Sequence, residues 1–278
     1  MNGALEGVRV VSLAVNVPGP VAAARLHALG AEVVKVEPPG GDPLREFCEP
    51  WYRELAEGQE VVRLDLKSES ALQELRERLS GADLFLTSHR PAALARLGLP
   101  RERLRGDFPR LLQVAITGYP APRENEPGHD LTYLAAHGLL TPPEMPRTLL
   151  ADLAGAERAA NAALAMLLER ERTGEGGYAE VPLSEAAREF AAPFRHGLTK
   201  PGGVLGGGTP GYRLYRASDG WLAVAALEPH FLKKLLGELG LEAAREAELR
   251  EVFSGRTTDE WETWAAERDL PILAVREA

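Results

Sequence analysis

The residues with chemical capacity gather at the ends of regular elements. His129 and Asp130 follow Pro127-Gly128 and precede the helical pattern Leu131-Thr132-Tyr133-Leu134. That puts an imidazole and a carboxylate at a helix N-terminus, where backbone N–H groups and the helix dipole favour an anion. Asp152 opens a long alanine-rich helix in the same way, and Glu228 precedes Pro229 at a strand-to-helix turn. Taken singly, each carboxylate reads first as a helix cap, because Asp is favoured there whatever the function. The familiar short motifs are missing: no G-x-G-x-x-G after a strand, no Walker lysine loop, no G-x-S-x-G elbow and no H-E-x-x-H. Gly206-Gly207-Gly208 is not followed by a helical pattern, so it does not read as a phosphate cradle. One cysteine, Cys48, and no His/carboxylate pair at ligand spacing argue for no metal site.

The elements that must position these residues alternate in the first third. Val8 to Leu13 is a β-branched run ending at Pro18-Gly19-Pro20; Val21 to Leu29 is a helix stopped by Gly30; Val33 to Val36 is the next strand. Leu72, Leu75 and Leu79 recur at helical spacing after a capping box expected at Ser70 to Gln73. Asp83 to Thr87 and Leu111 to Thr117 are further strands. This rhythm implies right-handed crossovers and a mostly parallel sheet. Asp152 to Arg172 is helical, its alanines implying close packing on another helix, and Tyr178 to Leu183 is a strand. Thr199 to Pro210 holds two prolines and five glycines in twelve residues and reads as a linker. Beyond it, Ser218-Asp219-Gly220 between Tyr212–Tyr215 and Trp221–Val224 predicts a hairpin. Helices over Pro229–Leu239 and Thr258–Glu267 and a strand over Pro271–Val275 complete an α+β region. The expected division is a large domain over residues 1–200, a linker over 201–211 and a small domain over 212–278.

The chain has 278 residues, 45% hydrophobic and 26% charged, which excludes a disordered or collagenous chain. A net charge of −9 argues against a nucleic-acid partner, which needs a basic face. A few arginines can still build a local anion site. No apolar run is long enough to span a membrane, and the first residues lack a signal-peptide pattern. With its single cysteine, a cytoplasmic location and no membrane partner are the expectations.

Together the segments resemble the class III CoA-transferase superfamily, which includes formyl-CoA transferases, carnitine CoA-transferases and α-methylacyl-CoA racemases. The resemblance runs through ordered blocks: Leu5 to Pro20, Leu29 to Asp42, Leu64 to Lys67, Arg90-Pro91 with Leu97-Gly98-Leu99, Pro127 to Tyr133, Leu150 to Asp152, Glu169 to Gly176, and Tyr212 to Phe231. It implies a Rossmann-like α/β large domain, a smaller α+β domain and an interlocked homodimer. Gly128-His129-Asp130, Leu149 to Asp152 and Ala226-Leu227-Glu228-Pro229 resemble the racemase branch. There the histidine and aspartate are the acid/base pair and the glutamate supports the histidine. These roles fall on His129, Asp152 and Glu228, with Glu228 acting across the dimer interface.

Such a pair suits inversion at C2 of a 2-methyl-branched acyl-CoA. The enolate needs hydrogen bonds as it forms, and inversion needs one base on each face. An imidazole and a carboxylic acid raised by burial serve near neutral pH. Backbone N–H groups at the helix start near Asp130 or Asp152 are both candidate enolate donors. The resemblance also places CoA, as part of the substrate and not as a prosthetic group, against Leu64, Lys67, Ser88, His89, Arg90 and Arg96, where cations would meet its phosphates. The chain departs from the family in five respects, the first being that the loop Gly118 to Pro127 lacks the usual glycine spacing. Pro38 replaces a basic residue, and Ser88-His89 replaces Asn-Phe. Glu157 brings a charge close after Asp152, and the family's returning C-terminal tail is missing. Two other readings stand beside the racemase: a CoA-transferase with Asp152 as nucleophile, and a catalytically degenerate CoA-binding homologue.

Overall fold

The computed structural model describes residues 3–276. They fall into two compact units, the first ending at Ala191 and the second beginning at Ala192.

The first unit opens with β1 (Arg9–Ser12), α1 (Pro18–Ala28), β2 (Glu32–Glu37), α2 (Pro43–Phe47), α3 (Glu49–Ala56) and β3 (Glu60–Arg63). It continues with α4 (Glu69–Ser80), β4 (Leu84–Thr87), α5 (Pro91–Arg96), α6 (Arg101–Asp107) and β5 (Leu112–Thr117). It closes with α7 (Asp130–Ala136), α8 (Leu150–Thr173), β6 (Gly177–Pro182) and α9 (Leu183–Phe190). The six strands form one sheet in the order β3-β2-β1-β4-β5-β6, and every pairing is parallel. That order reverses between β1 and β4, and ligands of open α/β sheets bind beyond the carboxyl ends of the strands at such a switch point.

Central strands of a parallel sheet are covered on both faces, so β4 and β5 are buried at every residue. Alternate residues feed two cores. Val10, Leu84, Leu86, Leu112 and Val114 pack with α1 and α8 on one face. Val11, Phe85 and Leu13 pack with Leu75 and Leu79 of α4, Leu94 of α5 and Leu104 of α6 on the other. The alanines of α8 do what their number implies: Ala156, Ala159, Ala160 and Ala163 are all buried, in the same core as Ala22, Ala23 and Leu26 of α1.

The second unit contains α10 (Ala192–Arg195), β7 (Tyr212–Arg216), β8 (Trp221–Ala225), α11 (Pro229–Leu239), α12 (Glu246–Ser254), α13 (Thr258–Ala266) and β9 (Ile272–Ala274). Its three strands pair antiparallel in the order β7-β8-β9, with the hairpin at the expected place. Tyr215, Leu222, Leu235, Phe253, Trp261 and Ile272 form its core.

Two expectations are corrected. The division falls before Ala192, not between 200 and 212. The reason is that the glycine-rich stretch folds on itself instead of extending: Leu198 N–H donates to Pro193 O at 2.9 Å, Leu205 N–H to Leu198 O at 2.9 Å and Gly208 N–H to Gly203 O at 2.9 Å. A Cβ on Gly203 would lie 2.3 Å from Gly197 O, so the glycine permits a close backbone crossing. The cap of α4 is Ser68, whose Oγ accepts the Ala71 N–H at 3.3 Å, two residues before the expected box. The apolar face of α11 is largely covered within its own unit, Leu235 being fully buried and Phe231 and Leu239 packed on the same core.

Candidate active site

The carboxyl ends of β4 and β5 and the first turns of α7 and α8 converge on one cleft. Its lining includes Asn16, Ser88, Arg90, Gly128, His129, Tyr133 and Asp152. His129 and Asp152, far apart in sequence, therefore share a site at the switch point. His129 is the exposed cap residue of α7, held by its backbone: Thr132 Oγ1 accepts its N–H at 3.1 Å and donates to its carbonyl at 2.8 Å.

Asp152 is not the cap of α8 but its third residue, after Leu149 at the cap position. The capping acceptor comes from another element. Asp130 is buried, and its Oδ1 accepts the N–H groups of Ala151 at 2.7 Å and Asp152 at 3.1 Å. Its Oδ2 is buried without a hydrogen-bond partner. Two carboxyls thus meet at one helix start. Burial raises the proton affinity of both; the two N–H bonds oppose that rise at Asp130. Asp152 has no such relief: burial first, and the Asp130 charge second, push it up to about 7. Of the two, Asp152 is the one pushed towards the neutral range, although the dipole of α8 pulls the other way.

The neighbouring side chains fix this geometry. Gly118 and Gly128 cradle the buried Tyr133 phenol: a Cβ on either would come within 2.5 Å of the ring or its hydroxyl. Asn16 holds φ of 67°, a strained value for an L residue, and its N–H donates to Asp42 Oδ1 at 2.9 Å. Asp42 is in turn one member of a buried cluster in which Lys35 Nζ meets Glu37 Oε1 at 2.6 Å and Asp42 Oδ2 at 2.5 Å. Tyr52 donates to Glu37 Oε1 at 2.8 Å, and burial with that bond pushes its phenol up to about 12. This cluster was not foreseen. Its signal was a lysine in mid-strand, Val33-Val34-Lys35-Val36, which is affordable only with buried partners.

The six residues expected to meet CoA divide. Ser88 and Arg90 line the cleft of His129 and Asp152, and the Ser88 hydroxyl accepts the Val15 N–H at 3.0 Å. His89 turns to a second groove with Leu64, Lys67 and Pro38, and its burial lowers its pKa. Lys67 also borders a third groove with Arg96 and Arg76. Glu228 belongs to the second unit, an exposed residue that opens α11 and makes no side-chain cap bond. Glu157, expected to crowd the site, is absent from the cleft lining and pairs with Arg25 at 2.7 Å. Among the described residues no group of three or more His, Cys, Asp or Glu is placed to hold a metal ion, and no helix is long and apolar enough to cross a membrane.

Comparison with known proteins sharpens the assignment. An alpha-methylacyl-CoA racemase of Mus musculus is 32% identical over 290 residues, spanning 92% of this chain and 74% of that one. A cinnamoyl-CoA:phenyllactate CoA-transferase of Clostridium sporogenes is 29% identical, spanning 98% of this chain and 78% of that one. A crystal structure of a hypothetical protein from Mycobacterium tuberculosis superposes with a TM-score of 0.87 at 29% identity, covering 99% of this chain and 84% of that one. A CAIB/BAIF family protein from Brucella suis shares the fold at a TM-score of 0.84 and 23% identity, covering 100% of this chain and 85% of that one. Residues 5–278 match the family itself, and the chain belongs to CoA-transferase family III.

Proposed function

We propose that this family member is a racemase that inverts the C2 centre of 2-methyl-branched acyl-CoA thioesters. The observation that carries the reading is that His129 and Asp152 line one cleft, where burial pushes the Asp152 carboxyl up to about 7. A carboxyl that titrates near neutral pH can both give and take a proton there, which favours proton transfer over the acyl-transfer role of the alternative.

In this reading the C2–H bond breaks as His129 takes the proton on one face, and its electron pair moves into the thioester to form an enolate. Asp152 then delivers its proton to C2 from the other face. The enolate oxygen needs donors, and the two candidate helix starts are no longer equivalent. The N–H groups of Ala151 and Asp152 are occupied by Asp130, which leaves the first turn of α7. Lys67 and Arg96 suit the CoA phosphates, and Arg90 suits the part of the thioester nearest the cleft. Glu228 would support His129 from the partner subunit of a homodimer.

The test is solvent deuterium exchange at C2 of a 2-methylacyl-CoA. Incorporation with loss of optical purity is expected; His129→Ala and Asp152→Ala each abolish the loss of optical purity and leave exchange of one enantiomer at most. Transfer of CoA between two free acids without C2 exchange would replace this reading by the transferase with Asp152 as nucleophile. Neither reaction from folded protein would leave a non-catalytic CoA-binding chain.

A further inference from the structure

The turn between β1 and α1 is strained where it meets the catalytic cleft. Asn16, with φ of 67°, occupies a region that glycine enters freely and that costs other residues. Such a conformation persists only where the surroundings over-determine it. Here they do. Asp42 is 1% exposed, and its Oδ1 accepts the N–H groups of Asn16 and of Leu44, both at 2.9 Å. Its Oδ2 is gripped by buried Lys35, which also holds Glu37, and Tyr52 bonds Glu37 in turn. A buried ion cluster is no better for stability than well-packed apolar side chains. What this one does hold is the turn.

The strain keeps a side chain at the cleft. Glycine would make the same turn freely but would present nothing to a ligand. The clamp engages the Asn16 backbone N–H, and among the described residues the Asn16 carboxamide has no hydrogen-bond partner. Asn16 lines the cleft with Ser88, His129 and Asp152. Its neighbour Val15 is tied through its N–H to the Ser88 hydroxyl at 3.0 Å. Ser88 begins the turn between the cleft and the groove of Lys67 and His89. A CoA thioester with its phosphates near Lys67 and its C2 near His129 must run its arm past this point. The polar group of that arm nearest the sulfur is a secondary amide, with one donor and one acceptor. A carboxamide offers both in return.

We propose that Asn16 bonds the amide of the CoA arm nearest the sulfur, and that Asp42, anchored by Lys35, is the positioning residue that holds Asn16 there. This role rests on the reading of the cleft as the site of acyl-CoA chemistry, and holds whichever reaction is run in it.

The test compares two 2-methylbutanoyl thioesters, one of N-acetylcysteamine, which keeps that amide, and one of ethanethiol, which lacks it. Deuterium exchange at C2 is followed with each. The intact protein should favour the first by about tenfold in kcat/KM. Asn16→Gly, which suits the positive φ, should melt no lower yet bring that ratio to within about twofold of one. Asp42→Asn offers one acceptor oxygen to donors on two sides, so it should release the turn and lower the ratio as well. Added to Asn16→Gly, it should cost the N-acetylcysteamine thioester no further kcat/KM, because the two residues act as a unit. No preference in the intact protein, or a loss in Asn16→Gly that is equal for both thioesters, would overturn the contact. A further loss in the double variant would overturn the positioning role. So would hydrogen exchange of the Asn16 backbone N–H at the free rate in the intact protein, where protection of roughly a hundredfold or more is expected; that measurement decides even if Asp42→Asn does not fold. Acyl transfer without C2 exchange would remove the racemase reading alone, and the same ratio is then read on transfer from the two thioesters.

Discussion

Replacing Asp152 by Asn should stabilise the first unit at neutral and alkaline pH, although it removes the proposed acid. Asp152 is pushed up to about 7 in the folded chain; an unfolded aspartate titrates near 3.9. Between those values the native state holds a proton that the unfolded state has released. Stability therefore falls as pH rises through that window, by about 1.4 kcal/mol per pH unit, and levels off above it. The full shift of some three units sets a ceiling of about 4 kcal/mol. Asp152 is partly open to the cleft and sits in the first turn of a helix, so solvent screening and the dipole reduce the expected gain to about 2 kcal/mol. Asparagine keeps the volume and carries no charge to desolvate. Urea unfolding of the two proteins should give nearly coincident midpoints at pH 4 and a higher midpoint for the variant at pH 8. By thermal unfolding, 2 kcal/mol corresponds to roughly 4–8 °C in a unit of this size. A difference that does not change with pH, or a variant less stable at pH 8, would show that the Asp152 carboxyl is not pushed up by its surroundings, and the acid role would go with it.

Lys35→Met should cost about 3–5 kcal/mol, because it leaves Glu37 and Asp42 buried with their charges uncompensated; denaturant midpoints measure this. Gly128→Ala should cut turnover more than tenfold while the protein stays folded, since the new methyl meets the Tyr133 ring at 2.5 Å and displaces the adjacent His129; steady-state kinetics with circular dichroism as control decides it. Arg90→Ala should raise KM for the acyl-CoA more than it lowers kcat, as expected of a contact shared by ground and transition states. An unchanged KM would make Arg90 a structural residue of the loop before α5.

The central strands were legible because burial on both faces writes an uninterrupted apolar run, as in Leu84-Phe85-Leu86. β3 was not, because Glu60-Val61-Val62-Arg63 is a largely exposed edge strand with neither run nor alternation. α2, α3 and α12 are short or charged, and their apolar residues are too few to set a period. His129 and Asp152 could be singled out from the chain, but not the reason that Asp152 holds a proton. That reason is burial first, and second a carboxylate 22 positions away capping a helix it does not belong to; local patterns carry no trace of either. The same holds for Lys35: its oddity is visible in sequence, its partners Asp42 and Tyr52 only in space.

The turn after β4 has a consequence for the reach of any molecule bound there. Ser88 and Arg90 face one cleft while His89, between them, faces the other. The tripeptide is a dividing wall one residue thick. A ligand that occupies both sides must cross it, so its charged end and its reacting carbon must be joined by a slender arm of fixed minimum length. A thioester built on a truncated arm could enter either compartment but not both, and would sacrifice the anchoring of one to reach the other.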